Sequence, residues 1–212
     1  VFVRGAGAHR IEGCYLGTDI TGNAAQLLSN GIVIAGNGPY VIGGLQPAQR
    51  NLLSGLNNAL LTTQQAANGV RIEGNLFGTN AAGDSVIGNE FGVLLFRMTN
   101  SVIGGTDPAA RNLFSGHRSR AIILQVNNVG VFSGLRIEGN YFGTDVSGQK
   151  ILGNDLNGLR ATIELNGGGA ACEVSIGGSG VGQANLIAYS AGAGIRNDRC
   201  LGLPNTLNRY RG

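Results

Sequence analysis

Arg136-Ile137-Glu138-Gly139-Asn140-Tyr141-Phe142-Gly143-Thr144-Asp145 is the stretch on which the fold turns, because the chain carries its pattern three times. Arg10-Ile11-Glu12-Gly13 and Arg71-Ile72-Glu73-Gly74 open the earlier copies, each followed by an aromatic or leucine and then Gly-Thr. The isoleucines lie 61 and 65 residues apart. Between the copies runs a second motif. Val41-Ile42-Gly43-Gly44 precedes Arg50-Asn51-Leu52-Leu53-Ser54-Gly55, and Val102-Ile103-Gly104-Gly105 precedes Arg111-Asn112-Leu113-Phe114-Ser115-Gly116. A degenerate third copy is Ser175-Ile176-Gly177-Gly178 with Asn185-Leu186-Ile187. Two motifs alternating at a fixed period mark a solenoid, in which each unit buries its apolar face against its neighbours.

The apolar runs are short and closed by Gly or Asn, as in Gly31-Ile32-Val33-Ile34, Gly92-Val93-Leu94-Leu95-Phe96 and Ala121-Ile122-Ile123-Leu124. That is strand punctuation. With 38 glycines in 212 residues, long helices are disfavoured, since an interior Gly costs roughly 1 kcal/mol against Ala. Aligning both motifs on their isoleucines places Asn51, Asn75, Asn112, Asn140 and Asn185 in one column at the bend between two strands, with Cys14 there in the first copy. Asn tolerates a sharp bend, and its amide can bond to the same group on the next rung. The expectation is an all-β, right-handed parallel β-helix over residues 1–212 as one domain. It has six to seven rungs of three short strands, stacked about 4.8 Å apart into a body about 30 Å long.

The pattern resembles the right-handed parallel β-helix repeats of the pectin-lyase-like superfamily. More narrowly, it is similar to large secreted bacterial surface proteins with alternating repeats of this kind. The residues that carry the likeness are Gly139 to Asp145 with Gly148, and Ile103-Gly104-Gly105-Thr106 with Arg111 to Gly116. The resemblance covers residues 9 to 188 and implies an extracellular or cell-surface setting. It names no activity, because lyases, hydrolases, epimerases, adhesins and tailspikes share the scaffold.

Net charge is +3, but the arginines and the sole lysine, Lys150, are dispersed. Nucleic-acid binding calls for a concentrated basic patch with stacking aromatics, so no nucleic-acid partner is expected. No apolar run approaches the roughly 18 residues of a membrane span. The chain starts at Val1 without Met and enters a strand at once, which reads as a piece of a longer precursor. Leu201 to Asn208, with Pro204, is expected to cover part of the last rung. Cys172 and Cys200 fall in corresponding turns of the last two rungs and form a candidate disulfide; the alternative is two unpaired thiols. Cys14 reads as a buried small residue.

Enzymes of the superfamily act on acidic polysaccharides through clustered carboxylates. Glu12, Glu73 and Glu138 point outward, each with an arginine two residues before it: Arg10, Arg71 and Arg136. They recur on alternate rungs about 9.6 Å apart, at the wide limit for an inverting pair of roughly 9.5 Å. The row reads as solvent-exposed ion pairs of about 0–1 kcal/mol each, or as a charged stripe reading a polymer. Asp19, Asn80 and Asp145 open glycine-bearing turns and supply too few oxygens for a hard cation. His9 and His117 are expected on the surface without partners. No cofactor or metal set is expected. The function expected is a non-catalytic structural module that stacks head to tail into fibres. The alternatives are a polysaccharide lyase or hydrolase with a degenerate site, and a tailspike-like carbohydrate binder. The expected partner is a second copy or an extracellular polysaccharide.

Overall fold

The computed structural model describes residues 1–65, 67–125, 132–158, 160–167, 172–198, 200 and 209–211, the last three as backbone. Among them, three parallel sheets run the length of the molecule. The first stacks Phe2–Arg4, Leu28–Ala35, Leu56–Thr62, Phe91–Leu95, Arg120–Gln125, Ala161–Asn166 and Ala193–Asp198. The second stacks His9–Ile11, Tyr40–Gly43, Arg71–Glu73, Val102–Gly104, Phe132–Glu138 and Cys172–Ile176, with Ala67–Asn68 and Met98–Thr99 alongside. The third stacks Tyr15–Leu16, Leu52–Leu53, Leu76–Phe77, Leu113–Phe114, Tyr141–Phe142, Leu186–Ala188 and Arg209–Arg211. The chain visits the sheets in the same order on every turn, which makes a right-handed parallel β-helix. Rung 1 holds Phe2–Arg4, His9–Ile11 and Tyr15–Leu16; rung 7 is described through Ala193–Asp198 and Arg209–Arg211.

Register follows the apolar pattern. In the second sheet Ile11, Ile42, Ile72, Ile103, Ile137 and Ile176 lie directly above one another. Ile32, Leu60, Val93, Ile122 and Ile163 do the same in the first. In the third sheet the rings of Phe77, Phe114 and Phe142 stack with centroids 4.5 and 5.0 Å apart. Burying each such side chain stabilises the fold by roughly 1.5–3 kcal/mol. A one-residue slip would turn the whole row outward.

The even-numbered rungs carry insertions after Gly-Gly, where short 3-10 turns form at Pro47–Gln49 and Pro108–Ala110. Odd-numbered rungs instead carry long loops after the third sheet. Those loops stack on one another through Ala81 N to Gly22 O and Val146 N to Gly83 O, both 3.0 Å. They cover Leu52, Leu76 and Leu113, which face out of the third sheet yet are buried. The segment Leu201 to Asn208, expected as a partial cap, lies outside the described residues. No helix among the described residues is long and apolar enough to cross a membrane.

Candidate functional site

The asparagine column is a continuous hydrogen-bonded wire. Nδ2 of Asn51 donates to Oδ1 of Asn75 at 2.9 Å, Asn75 to Asn112 at 3.0 Å, Asn112 to Asn140 at 3.0 Å and Asn140 to Asn185 at 3.2 Å. Each Oδ1 also accepts the backbone N–H of the rung before it, beginning with Cys14 N to Asn51 at 2.9 Å. Each Nδ2 also reaches the isoleucine carbonyl of that rung, at 2.7–2.9 Å. The amide valences are thereby used by structure. Cys14 heads the column and is half-buried rather than buried, because it sits on the outermost rung.

The Arg–Glu row forms as three pairs, each two residues apart along the chain: Arg10–Glu12 at 2.9 Å, Arg71–Glu73 at 2.6 Å and Arg136–Glu138 at 3.4 Å. The expectation of solvent-exposed pairs is corrected for two of them. Glu73 and Glu138 are 6% and 4% exposed, while their arginines stand half in solvent. The turn inserted in each even rung folds back over the glutamate before it. Gly13 N donates to Gln49 O, Gly74 N to Ala110 O and Gly139 N to Gln183 O. Gln49 and Gln183 also donate from Nε2 to Glu12 and Glu138, each at 3.2 Å. Opposite Glu73 and Glu138 stand Gly43 and Gly104, with φ of +87° and +89°. A Cβ at either would run into a glutamate carbonyl and the asparagine amide. Glutamate therefore recurs only on every second rung.

At the same corner, Arg50 and Arg111 close the two 3-10 turns and meet no carboxylate among the described residues. Each donates Nε to a glycine carbonyl on the next rung, Arg50 to Gly74 at 3.1 Å and Arg111 to Gly139 at 3.2 Å. Arg111 also lies over the Tyr141 ring, 3.9 Å from its centroid. Each borders a groove: about 400 Å³ beside Arg111, Tyr141, Ser147 and Gln149, and about 250 Å³ beside Arg50, Tyr15 and Pro47. These two arginines, about 9.6 Å apart at two rung spacings, carry the unneutralised charge of the corner. The Arg-Asn dipeptide of the second motif was the signal for them.

In the long loops, Asp19 accepts from Thr21 Oγ1, Asn23 N and Ala24 N. The Asn23 N–H foremost holds its carboxyl below the usual range. At Asp145 partial desolvation works upward, but bonds from Ser147, Lys150 N and Gln149 N outweigh it and the carboxyl is again lowered. Asn80 accepts Asp84 N and Ser85 N in the same way. These residues build turns, and no group of three His, Cys, Asp or Glu side chains among the described residues could hold a metal.

His9 is exposed and stacks on Tyr40, with centroids 5.5 Å apart. His117 is not on the surface: it is fully buried in the corner between the third and first sheets, and neither ring nitrogen has a partner. Burial alone pushes it down to about 3. A second set of asparagines lies at that corner. Asn89 Oδ1 accepts Leu56 N at 2.9 Å, and Asn154 Oδ1 accepts His117 N at 3.1 Å. Sequence reasoning missed this pair, although Ile87-Gly88-Asn89 and Leu152-Gly153-Asn154 repeat. Cys172 and Cys200 are joined by a disulfide, Cα atoms 5.5 Å apart, which ties rung 6 to rung 7.

Chemically, this arrangement can hold rungs in register and present fixed guanidinium groups along one corner. No protein-family model, curated protein or solved structure matches the chain.

Proposed function

We propose that this chain is a non-catalytic structural module of a bacterial extracellular or cell-surface protein, of the pectin-lyase-like kind, whose copies stack head to tail into fibres. The observation that carries the reading is the commitment of its carboxylates. Glu73 and Glu138 are buried in ion pairs, Glu164 is held by Arg120, and Asp19 and Asp145 fasten their own loops. A hydrolase needs a pair left free to act as acid and base. The disulfide supports an oxidising compartment. Each rung of a solenoid contacts only its neighbours, and a head-to-tail contact that does not close gives a filament. Electron microscopy across a concentration series, beside light scattering, tests the assembly. Filaments with an axial repeat near 34 Å, about seven rung spacings, are expected; discrete particles at every concentration would sink it.

Arg50 and Arg111 favour a second reading, in which the corner holds an anionic polysaccharide. Anchored through Nε, each guanidinium keeps its outer edge for bidentate contact with carboxylate or sulfate. Polygalacturonate binding to a variant carrying Arg50→Gln and Arg111→Gln is the check. Loss of binding supports this reading, and binding equal to the parent protein's removes it.

A further inference from the structure

The corner between the third and first sheets holds Leu56, Asn89, His117 and Asn154 on rungs 2 to 5, each after a glycine with positive φ. The asparagines on the odd rungs do the bonding. Asn89 donates to Leu53 O at 2.9 Å and Asn154 to Phe114 O at 2.8 Å, while their oxygens accept Leu56 N and His117 N. The even-rung side chain is left without a bonding task. Leucine suits that place on rung 2, whereas rung 4 has an imidazole with two polar nitrogens and no partner.

The imidazole is closely encased. A Cβ at Gly78 would lie 2.9 Å from its Cε1, and one at Gly92 would lie 2.9 Å from its Nε2. Phe114 closes another side, ring centroids 6.4 Å apart. None of the charged side chains on the elements packed here bonds to either ring nitrogen. Glu90 is half-buried and Arg118 exposed; Arg120 is paired with Glu164 at 2.8 Å. On rung 5, Asp155 is buried; its Oδ2 accepts Arg160 N at 3.0 Å, and its Oδ1 bonds to neither ring nitrogen nor any other group.

We propose that His117 makes the rung 4 corner an acid-sensitive release point, at which protonation of the imidazole opens the contact between rungs 4 and 5. A cationic imidazole there has no acceptor within hydrogen-bond reach of either ring nitrogen and glycine backbone against its edge, so it is accommodated when the corner opens. The bonds that would yield are His117 N to Asn154 Oδ1 and Gly116 N to Gly153 O. Because each rung contacts only its neighbours, the opening is local and divides the solenoid into two blocks.

The sign follows from the depressed value. The closed corner binds the proton only near pH 3, and the open corner at the ordinary value of about 6.5. Stability of the closed form is therefore full above about 6.5 and declines as pH falls towards 3. Between pH 7 and 5 the open fraction rises about 25-fold.

Hydrogen exchange of the whole chain, corrected for intrinsic rates, reads this directly. Protection over residues 115–118 is expected to fall about 25-fold between pH 7 and 5, while protection at rung 2 stays constant. In His117→Leu, which copies Leu56, the fall is expected to vanish. Equal protection at both pH values, or an unchanged fall in His117→Leu, overturns the proposal. Nuclear magnetic resonance titration of the wild-type imidazole needs no variant: a ring still neutral at pH 5 in the closed protein agrees, and a midpoint near 6.5 there overturns it.

Discussion

Arg71 donates from both Nε and Nη2, at 3.1 and 2.6 Å, to a single oxygen of Glu73, Oε2, two residues further along the same strand. Glu73 is buried beneath the next rung's turn while Arg71 stands half in solvent, and among the described residues Arg71 is the cation that pairs with this carboxylate. Arg71→Ala is expected to cost about 2 kcal/mol, between an exposed pair and a buried one. Arg10→Ala, beside the more exposed Glu12, is expected to cost under about 1 kcal/mol. Urea unfolding of both variants checks the ranking. Equal costs would mean that the covering turn does not desolvate Glu73.

The asparagine wire makes a second ranking. Asn112→Ala removes acceptors for Asn75 N and Nδ2 and the donors to Ile72 O and Asn140. Each buried group left unmet costs about 1–3 kcal/mol, so a loss of at least about 3 kcal/mol is expected in equilibrium unfolding. Asn58 also pairs with an asparagine, Asn30 at 2.9 Å, but in solvent. Asn58→Ala is expected to change stability by less than about 1 kcal/mol.

Asp145 and Asn80 fasten equivalent loops with different side chains. Asp145→Asn is therefore expected to leave the loop closed and Asp145→Ala to open it. A lysine-specific protease cutting at Lys150 should cleave the alanine variant faster than the parent and the asparagine variant at the parent rate. The carboxyl at Asp145 is held below its ordinary value of 3.8. Its contribution is present above that pH and is lost as pH falls through the lowered value. Hydrogen exchange at Gln149 and Lys150, corrected for intrinsic rates, should therefore speed up in the parent as pH falls through that lowered value and stay unmoved in Asp145→Asn.

The Cys172–Cys200 bridge closes a segment with a sequence separation of 28. The chain-entropy estimate for such a loop is about 3–4 kcal/mol. Replacing both cysteines by alanine is expected to lower stability by up to that amount, with exchange protection lost first over Ala193–Asp198. A uniform loss across all rungs would contradict the local role.

The isoleucine and asparagine columns were legible because the same residue type returns at the same offset in every rung, and parallel stacking carries like onto like. Burial of Glu73 was not legible. It depends on how far the turn of the following rung folds back, and Ala110 O, which accepts Gly74 N, belongs to a segment more than thirty residues away. His117 was hidden for a related reason. Its walls are Gly78 and Gly92, residues whose lack of a side chain leaves no apolar pattern to read. The arginine stripe was half visible: Arg10, Arg71 and Arg136 stood out by their repeat, yet their neutralisation leaves the free charge on Arg50 and Arg111.

The central claim, that the carboxylates of this solenoid hold it together and perform no chemistry, is tested most directly on polymer itself. Polygalacturonate and other polyuronates incubated with the purified chain are followed for polymer length and for new unsaturated or reducing ends. Unchanged length over the whole course is the expected result. Shortening that disappears in Glu73→Gln or Glu138→Gln, with both variants still folded, would contradict the account and turn the Arg–Glu row into an active site.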